Sequence, residues 1–193
     1  MSEFNQQEQN NSAHFVKKNL KQITAFLVIL VLIVGGYFGY LELYQKPREI
    51  KAADAMFAAE NYFAQDSSKL VLNGNGTNKG VLYIIKNYSG TKAANLAKYY
   101  AGVSYFKIGD FNKSIEILKS FSTDAIQIQT LAYGILGDAH AELKKYSEAL
   151  DYYKKAGTTN TKDDILSSMF LFRAAQLQEV LGKTDDAVAI YKD

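Results

Sequence analysis

The chain of 193 residues contains no cysteine, which removes disulfides, thiolate nucleophiles, Cys-based zinc sites and a lipid-modified cysteine together. Any membrane tether must therefore be made of protein. Imidazole is scarce, with only His14 and His140 available. The formal net charge is +2 and it is not gathered into a basic block, so the electrostatic footprint of a nucleic-acid binder is missing and no nucleic-acid partner is expected. Proline occurs once, whereas alanine is abundant and tyrosine and phenylalanine number 14 and 11. That balance suits helices that pack through small residues and aromatic plugs, and an all-α fold is expected. The length is enough for a single domain of about 150 residues beside one anchor.

The anchor is ITAFLVILVLIVGGYFGYL, residues 23–41, which carries no charge. As a helix rising about 1.5 Å per residue it spans roughly 28 Å, close to the hydrocarbon thickness of a bilayer. A cleaved signal peptide has a shorter apolar region and a small-x-small exit, whereas this run leaves through Tyr37, Phe38, Tyr40, Leu41 and Leu43. An uncleaved signal anchor over residues 22–44 is expected. Lys17, Lys18 and Lys21 crowd its upstream edge while Lys46, Arg48 and Lys51 follow it. The closer upstream cluster favours a cytoplasmic N-terminus, with Tyr37, Tyr40 and Tyr44 forming an interfacial belt on the far side. Residues 1–21, rich in Gln, Asn, Ser and Glu, are expected as a disordered cytosolic tail. Gly35 and Gly39 have the GxxxG spacing that lets a second membrane helix approach.

Beyond the anchor, in residues 45–193, two segments are self-similar. AKYYAGVSYFKIGDFNKSIEILKSF, residues 97–121, aligns with AYGILGDAHAELKKYSEALDYYKKA, residues 132–156, placing Gly102 on Gly137, Phe111 on Tyr146 and Leu118 on Tyr153 at a period of 35. A third copy, LFRAAQLQEVLGKTDDAVAIY, puts Ala175, Thr184, Ala187 and Tyr191 at the same places, 38 residues further on, with the three extra residues in the TTNTKDD connection. This pattern resembles the tetratricopeptide repeat: the second copy carries Tyr133, Leu136, Gly137, Leu143, Tyr146, Ala149, Tyr153 and Ala156, and departs at His140, where a tyrosine is usual. The first copy has Lys98 at the bulky position and Ser114 in place of alanine. The regular copies cover about 95–126, 130–162 and 168–193. The resemblance implies stacked antiparallel helix pairs forming a curved solenoid. Residues 49–65 with 80–88 are expected as an irregular opening pair. The chain stops at Asp193 without the polar capping helix solenoids usually need, and a natural continuation is expected.

VLNGNGTNKGVL, residues 71–82, concentrates glycine and a lysine, yet a Walker-type loop needs Gly-Lys-Ser/Thr after a buried strand, and here the order is Lys79-Gly80-Val81. A turn-forming connection is expected, with Asn73, Gly74, Asn75 and Gly76 taking left-handed conformations. Ser104, Asp138 and His140 are the only semblance of a hydrolase set, and two residues apart on a helix Asp138 and His140 point in different directions. Asp163/Asp164 and Asp185/Asp186 lie where helices begin and suit capping. No catalytic, cofactor or metal site is expected, and the protein is expected not to be an enzyme.

The repeat resemblance carries over an inner, partner-binding surface: Leu96, Tyr99, Val103 and Phe106 from the first copy; Leu131, Gly134, Asp138 and Ala141 from the second; Met169, Phe172, Gln176 and Val180 from the third. That surface is mostly apolar, as a protein-binding groove would be, unless the opening pair or a further C-terminal helix covers it. The whole layout, with a polar tail, one anchor and GTKAANLAKYYAGVSYFKIGDF leading into regular repeats, is similar to the bacterial YfgM-like family. Members of that family are inner-membrane proteins with an external repeat domain. The resemblance implies association with the SecYEG translocon, with a PpiD-like membrane-anchored chaperone and with translocating polypeptides, the repeat domain being periplasmic. A structural scaffold of another envelope complex and a cytosol-facing import receptor stand as alternatives.

Overall fold

The computed structural model describes residues 2–160 and 164–192, with side chains placed for 17–160 and 165–192. It divides into two compact units, Met1–Pro47 and Arg48–Asp193. Among the described residues the secondary structure is helical, apart from a single antiparallel bridge between Gly74 and Lys79.

The first unit is built on helix α1, Ser2–Tyr40. Residues 2–21, expected as a disordered tail, are therefore helical; Gln, Glu and Lys are good helix formers, and adding residues to an existing helix is far easier than starting one. Side chains from Phe26 to Val34 remain between 46 % and 69 % exposed within the chain. A five-residue π-helical turn, Leu41–Gln45, follows, in which the Lys46 amide donates to the Leu41 carbonyl. The wider turn immediately precedes Pro47, whose ring has no N–H and crowds the carbonyl four residues back. Glu42 and Lys46 form an ion pair across it.

The second unit contains α2 (Lys46–Ala64) from Arg48 onward, α3 (Ser68–Asn73), α4 (Val81–Asn87), α5 (Lys92–Lys107), α6 (Phe111–Lys119), α7 (Ile126–Glu142), α8 (Tyr146–Thr159), α9 (Asp164–Val180) and α10 (Thr184–Tyr191). One local device recurs four times in it. Asp66, Gly109, Lys144 and Gly182 have φ of 56°, 81°, 58° and 72°. Each donates its amide to the carbonyl three residues back, at 3.0, 3.0, 2.8 and 2.9 Å, and the following amide donates to the carbonyl five residues back, at 2.9 Å in all four. This is a Schellman-type helix end, and it folds each first helix onto its second.

The same device opens the unit whose first and partner helices were expected at 49–65 and 80–88. Helices α2 and α3 are a fourth unit of the same kind. The turns at Gly109 and Lys144 lie 35 residues apart and those at Asp66 and Gly109 lie 43 apart, so the opening unit carries eight extra residues. They fall at 73–80, the glycine-rich loop, which interrupts the second helix of the unit and is followed by α4. Gly74 and Gly76 do take positive φ, whereas Asn73 ends α3 and Asn75 is not left-handed. The loop is pinched shut: a Cβ at Gly80 would lie 2.3 Å from the Leu72 carbonyl oxygen, and one at Gly74 would lie 2.0 Å from that of Asn78. Of the TTNTKDD connection, residues 161–163 lie outside the described residues, Asp163 among them, and Asp164 begins α9; Asp185 and Asp186 sit in the first turn of α10.

Packing follows from the repeat positions. Ala59, Gly102, Gly137 and Ala175 occupy one position of the four first helices, and all are buried. A Cβ at Gly102 would lie 2.3 Å from Leu118, and one at Gly137 would lie 2.5 Å from the Tyr153 ring, so the helices cross at a distance only small residues permit. On the second helices Val71, Ser114, Ala149 and Ala187 form the matching line. Ser114 replaces alanine without cost to hydrogen bonding because its hydroxyl donates to the Gly102 carbonyl at 2.8 Å.

Two neighbouring charges secure the start of the unit. Glu49 accepts from the amides of Lys92 and Ala93 at 2.8 and 3.0 Å, capping α5 from another helix, and Thr91 accepts from Ala94 at the same end. Arg48 donates to the carbonyls of Asn87 and Ser89 at the end of α4. Replacing Glu49 with alanine is expected to lower stability by about 1–2 kcal/mol in chemical denaturation. Lys144 is the only non-glycine among the three regular turns, and Lys144→Gly should raise the unfolding midpoint by an amount equivalent to about 1 kcal/mol.

Candidate protein-binding surface

The residues expected to form a groove sit on α5, α7 and α9, but the structure divides them. Val103 is 8 % exposed and Gly134 is buried, with the Phe170 ring of α9 standing 2.1 Å from where a Cβ on Gly134 would lie. At Gly134 the Phe170 side chain of α9 thus closes the surface between successive first helices. Tyr99 is half-buried, its ring 5.7 Å from that of Phe121, and burial raises its pKa. Phe106 packs within its own pair against Phe111 at 5.5 Å. Leu131, Met169, Phe172 and Gln176 remain exposed, Phe172 at 53 %. The accessible apolar area therefore concentrates on α9, where Ile165 and Val180 extend it at helical spacing, with Tyr191 of α10 next to Phe172. Ile165 was not among the expected residues, although it precedes Met169 by one helical turn.

Asp138 is not free to meet a partner. Both its oxygens accept from Arg173, at 2.6 and 2.7 Å, and the Tyr153 hydroxyl donates to it at 2.8 Å. The cluster ties α7, α8 and α9 together at the junction of two repeats. Burial first, and the neighbouring Asp138 charge second, push the Tyr153 hydroxyl far above its usual range, so it stays a donor. Carboxylate and guanidinium are a quarter and two-fifths exposed, so the pair contributes more to register than to stability.

A second accessible feature is a cleft of about 550 Å³ at the start of α5, floored by Leu96, Phe121 and Ile128 and rimmed by Lys92, Asn95 and Asp124. Asn95 and Lys98 donate to the carbonyls of Ser122 and Ser120, fixing the connection between α6 and α7 as one wall. In the first unit, a Cβ at Gly35 or Gly39 would meet nothing within 4 Å.

The residues that resemble a hydrolase set are not assembled. Ser104 is fully buried on α5, Asp138 is committed to Arg173, and His140 is 4 % exposed with its ring stacked on Tyr152 at 5.3 Å. Neither imidazole nitrogen has a hydrogen-bond partner among the described residues. Burial chiefly, then the charge of Lys119 on α6, lower the His140 pKa; Glu148 opposes this and Lys145 adds to it. No group of three or more His, Asp or Glu side chains placed to hold a metal ion occurs among the described residues.

Residues 96–124 match the tetratricopeptide repeat family. The match spans most of α5, all of α6 and the connection after it, a single one of the four units. No curated protein matches the chain. A repeat of this family implies a role in protein–protein interaction, and the accessible surfaces of the second unit are of the kind such a role requires. The first unit contributes one helix near the N-terminus that is long and apolar enough to cross a membrane.

His140 makes stability depend on pH in a defined direction. Its folded pKa lies below the ordinary imidazole value of 6.5, so the unfolded chain binds the proton more readily, and stability is full above that pH and falls as pH drops through the folded value. Unfolding midpoints measured from neutral pH down to about 5 should decline, and His140→Tyr, the residue that Tyr105 places at the same repeat position, should flatten the decline.

Proposed function

We propose that the protein is a membrane-tethered interaction module of the bacterial envelope, which binds other proteins and has no catalytic activity. The observation that carries this reading is the pairing, in one chain, of a single membrane-length apolar helix with a helical solenoid containing a tetratricopeptide repeat. An anchored solenoid holds its partners near the bilayer, where the gain is in effective concentration rather than in intrinsic affinity. The similarity to the YfgM-like family supports a finer statement: an accessory of the SecYEG translocon, with its N-terminus in the cytoplasm and its repeats outside, that engages a PpiD-like chaperone and emerging polypeptides. The crowding of Lys17, Lys18 and Lys21 just before the apolar run supports that orientation. Of the residues a hydrolytic reading would need, Asp138 is committed to Arg173, and His140 is buried with its ring stacked on Tyr152.

Purification of the tagged full chain from membranes in mild detergent should bring down SecY and a membrane-anchored chaperone. A photo-crosslinking residue at Phe172 should capture one of them or a translocating chain, while the same residue at buried Val103 should capture none. Recovery of an unrelated envelope complex at Phe172 would favour the scaffold alternative, and a reporter fused after Asp193 that is active only in the cytoplasm would overturn the orientation.

A further inference from the structure

The loop inserted into the opening unit contains two Asn-Gly sequences two residues apart in the chain, Asn73-Gly74 and Asn75-Gly76. In both, the glycine offers an unhindered main-chain nitrogen to the side-chain amide before it, the arrangement from which asparagine cyclises spontaneously. The fold treats them differently. Asn73 closes α3: its side-chain nitrogen donates to the Lys69 carbonyl at 3.2 Å, and the Gly74 amide donates to the Leu70 carbonyl at 2.8 Å. The nucleophile of that pair is engaged and its asparagine is held in helical geometry.

At Asn75-Gly76 the reverse holds. Asn75, Gly76 and Thr77 are exposed. The Gly76 amide makes no hydrogen bond among the described residues, and a Cβ built on Gly76 would meet nothing within 4 Å, so no neighbouring atom crowds Gly76. Gly76 has φ of 92°, a conformation open to glycine and strained for other residues. The Asn75 side-chain carbonyl oxygen accepts from the Asn78 amide at 2.8 Å, and the Asn75 amide donates to the Asn78 carbonyl at 3.2 Å. A donor fixed on the oxygen of a carbonyl under attack stabilises the negative charge that develops there.

We propose that Asn75 is a site of self-modification, converted in the folded protein to aspartate and isoaspartate while Asn73 is protected. The Gly76 main-chain nitrogen attacks Cγ of Asn75 and forms a new N–C bond; the Cγ–Nδ2 bond breaks, and the amide leaves as ammonia, carrying the proton lost by Gly76. Water then opens the five-membered succinimide. Opening at Cγ gives aspartate, and opening at the main-chain carbonyl carbon gives isoaspartate. Nothing is oxidised or reduced, and water is the only other reactant. Either product places a negative charge at the loop tip, and isoaspartate adds a methylene to a backbone that is closed at the Gly74–Lys79 bridge.

The test uses the full chain in detergent, incubated at neutral pH and followed by peptide mass spectrometry. Isoaspartate is read separately by methyl transfer from S-adenosylmethionine with an isoaspartate-specific carboxyl methyltransferase. In the folded protein Asn75 should convert at least about tenfold faster than Asn73, while in urea the two should convert at comparable rates. Gly76→Ala should slow conversion at Asn75 by about tenfold or more, and because alanine is strained at that φ, Asn75→Gln serves as a second variant, expected to give no methyl acceptance from this site. Circular dichroism confirms that both variants remain helical. Equal rates at Asn73 and Asn75 in the folded protein would overturn the proposal, as would an intact Asn75 under conditions where the denatured chain converts.

Discussion

The second unit depends on how closely two helices of one pair can approach. At Gly102 and Gly137 the partner side chains, Leu118 and Tyr153, occupy the volume a Cβ would need. The small residue sets the crossing distance, the bulky one fills the space released, and the pair then presents a ridged face to its neighbour. Ala59 and Ala175 meet the same requirement in the outer units, where both are fully buried. Every other regularity, including the Schellman turns and the line of Val71, Ser114, Ala149 and Ala187, keeps this crossing in register from one unit to the next.

Polar groups then fix the joints that apolar packing leaves adjustable. Glu49 and Arg48 grip the corner between α4 and α5 through backbone groups that would otherwise lack helical partners. Asp138, Arg173 and Tyr153 do the corresponding task between the last two regular units with side chains alone. Such contacts add modestly to stability, because they are partly solvated, but they allow one angle between neighbours where a purely apolar interface allows several. His140 is the exception. Its ring contributes a stacked apolar surface, and its nitrogens are carried inside with it.

The repeat was legible where residue size repeats at fixed spacing, as at Gly102, Gly137 and Ala175. It was not legible in the opening unit, because the inserted residues shift the spacing and Asp66 stands where the others have glycine or lysine; asparagine and aspartate tolerate left-handed geometry, so no glycine marks that turn. The surface was only half legible. Repeat position places Val103, Asp138 and Gln176 on one line of the first helices and Tyr99, Gly134 and Phe172 on the neighbouring one, but accessibility differs along each line: Val103 is buried and Arg173 claims Asp138, while the Phe170 ring crowds Gly134 and Phe172 stays exposed. Periodicity names the face of a helix, and only packing says whether that face meets solvent. The helical backbone of residues 2–21 was missed for a related reason, since composition reports the cost of starting a helix and not the ease of continuing one.

The pinch at the base of the inserted loop has a practical side. Because Gly74 and Lys79 already meet, and Gly80 nests under the Leu72 carbonyl, the residues between them are a detour whose length the stack does not sense. Lengthening such a detour costs only slowly growing closure entropy. An epitope or a small fluorescent domain spliced in at Thr77 would ride on the solenoid as a passenger, reporting where the protein goes while leaving its helices undisturbed.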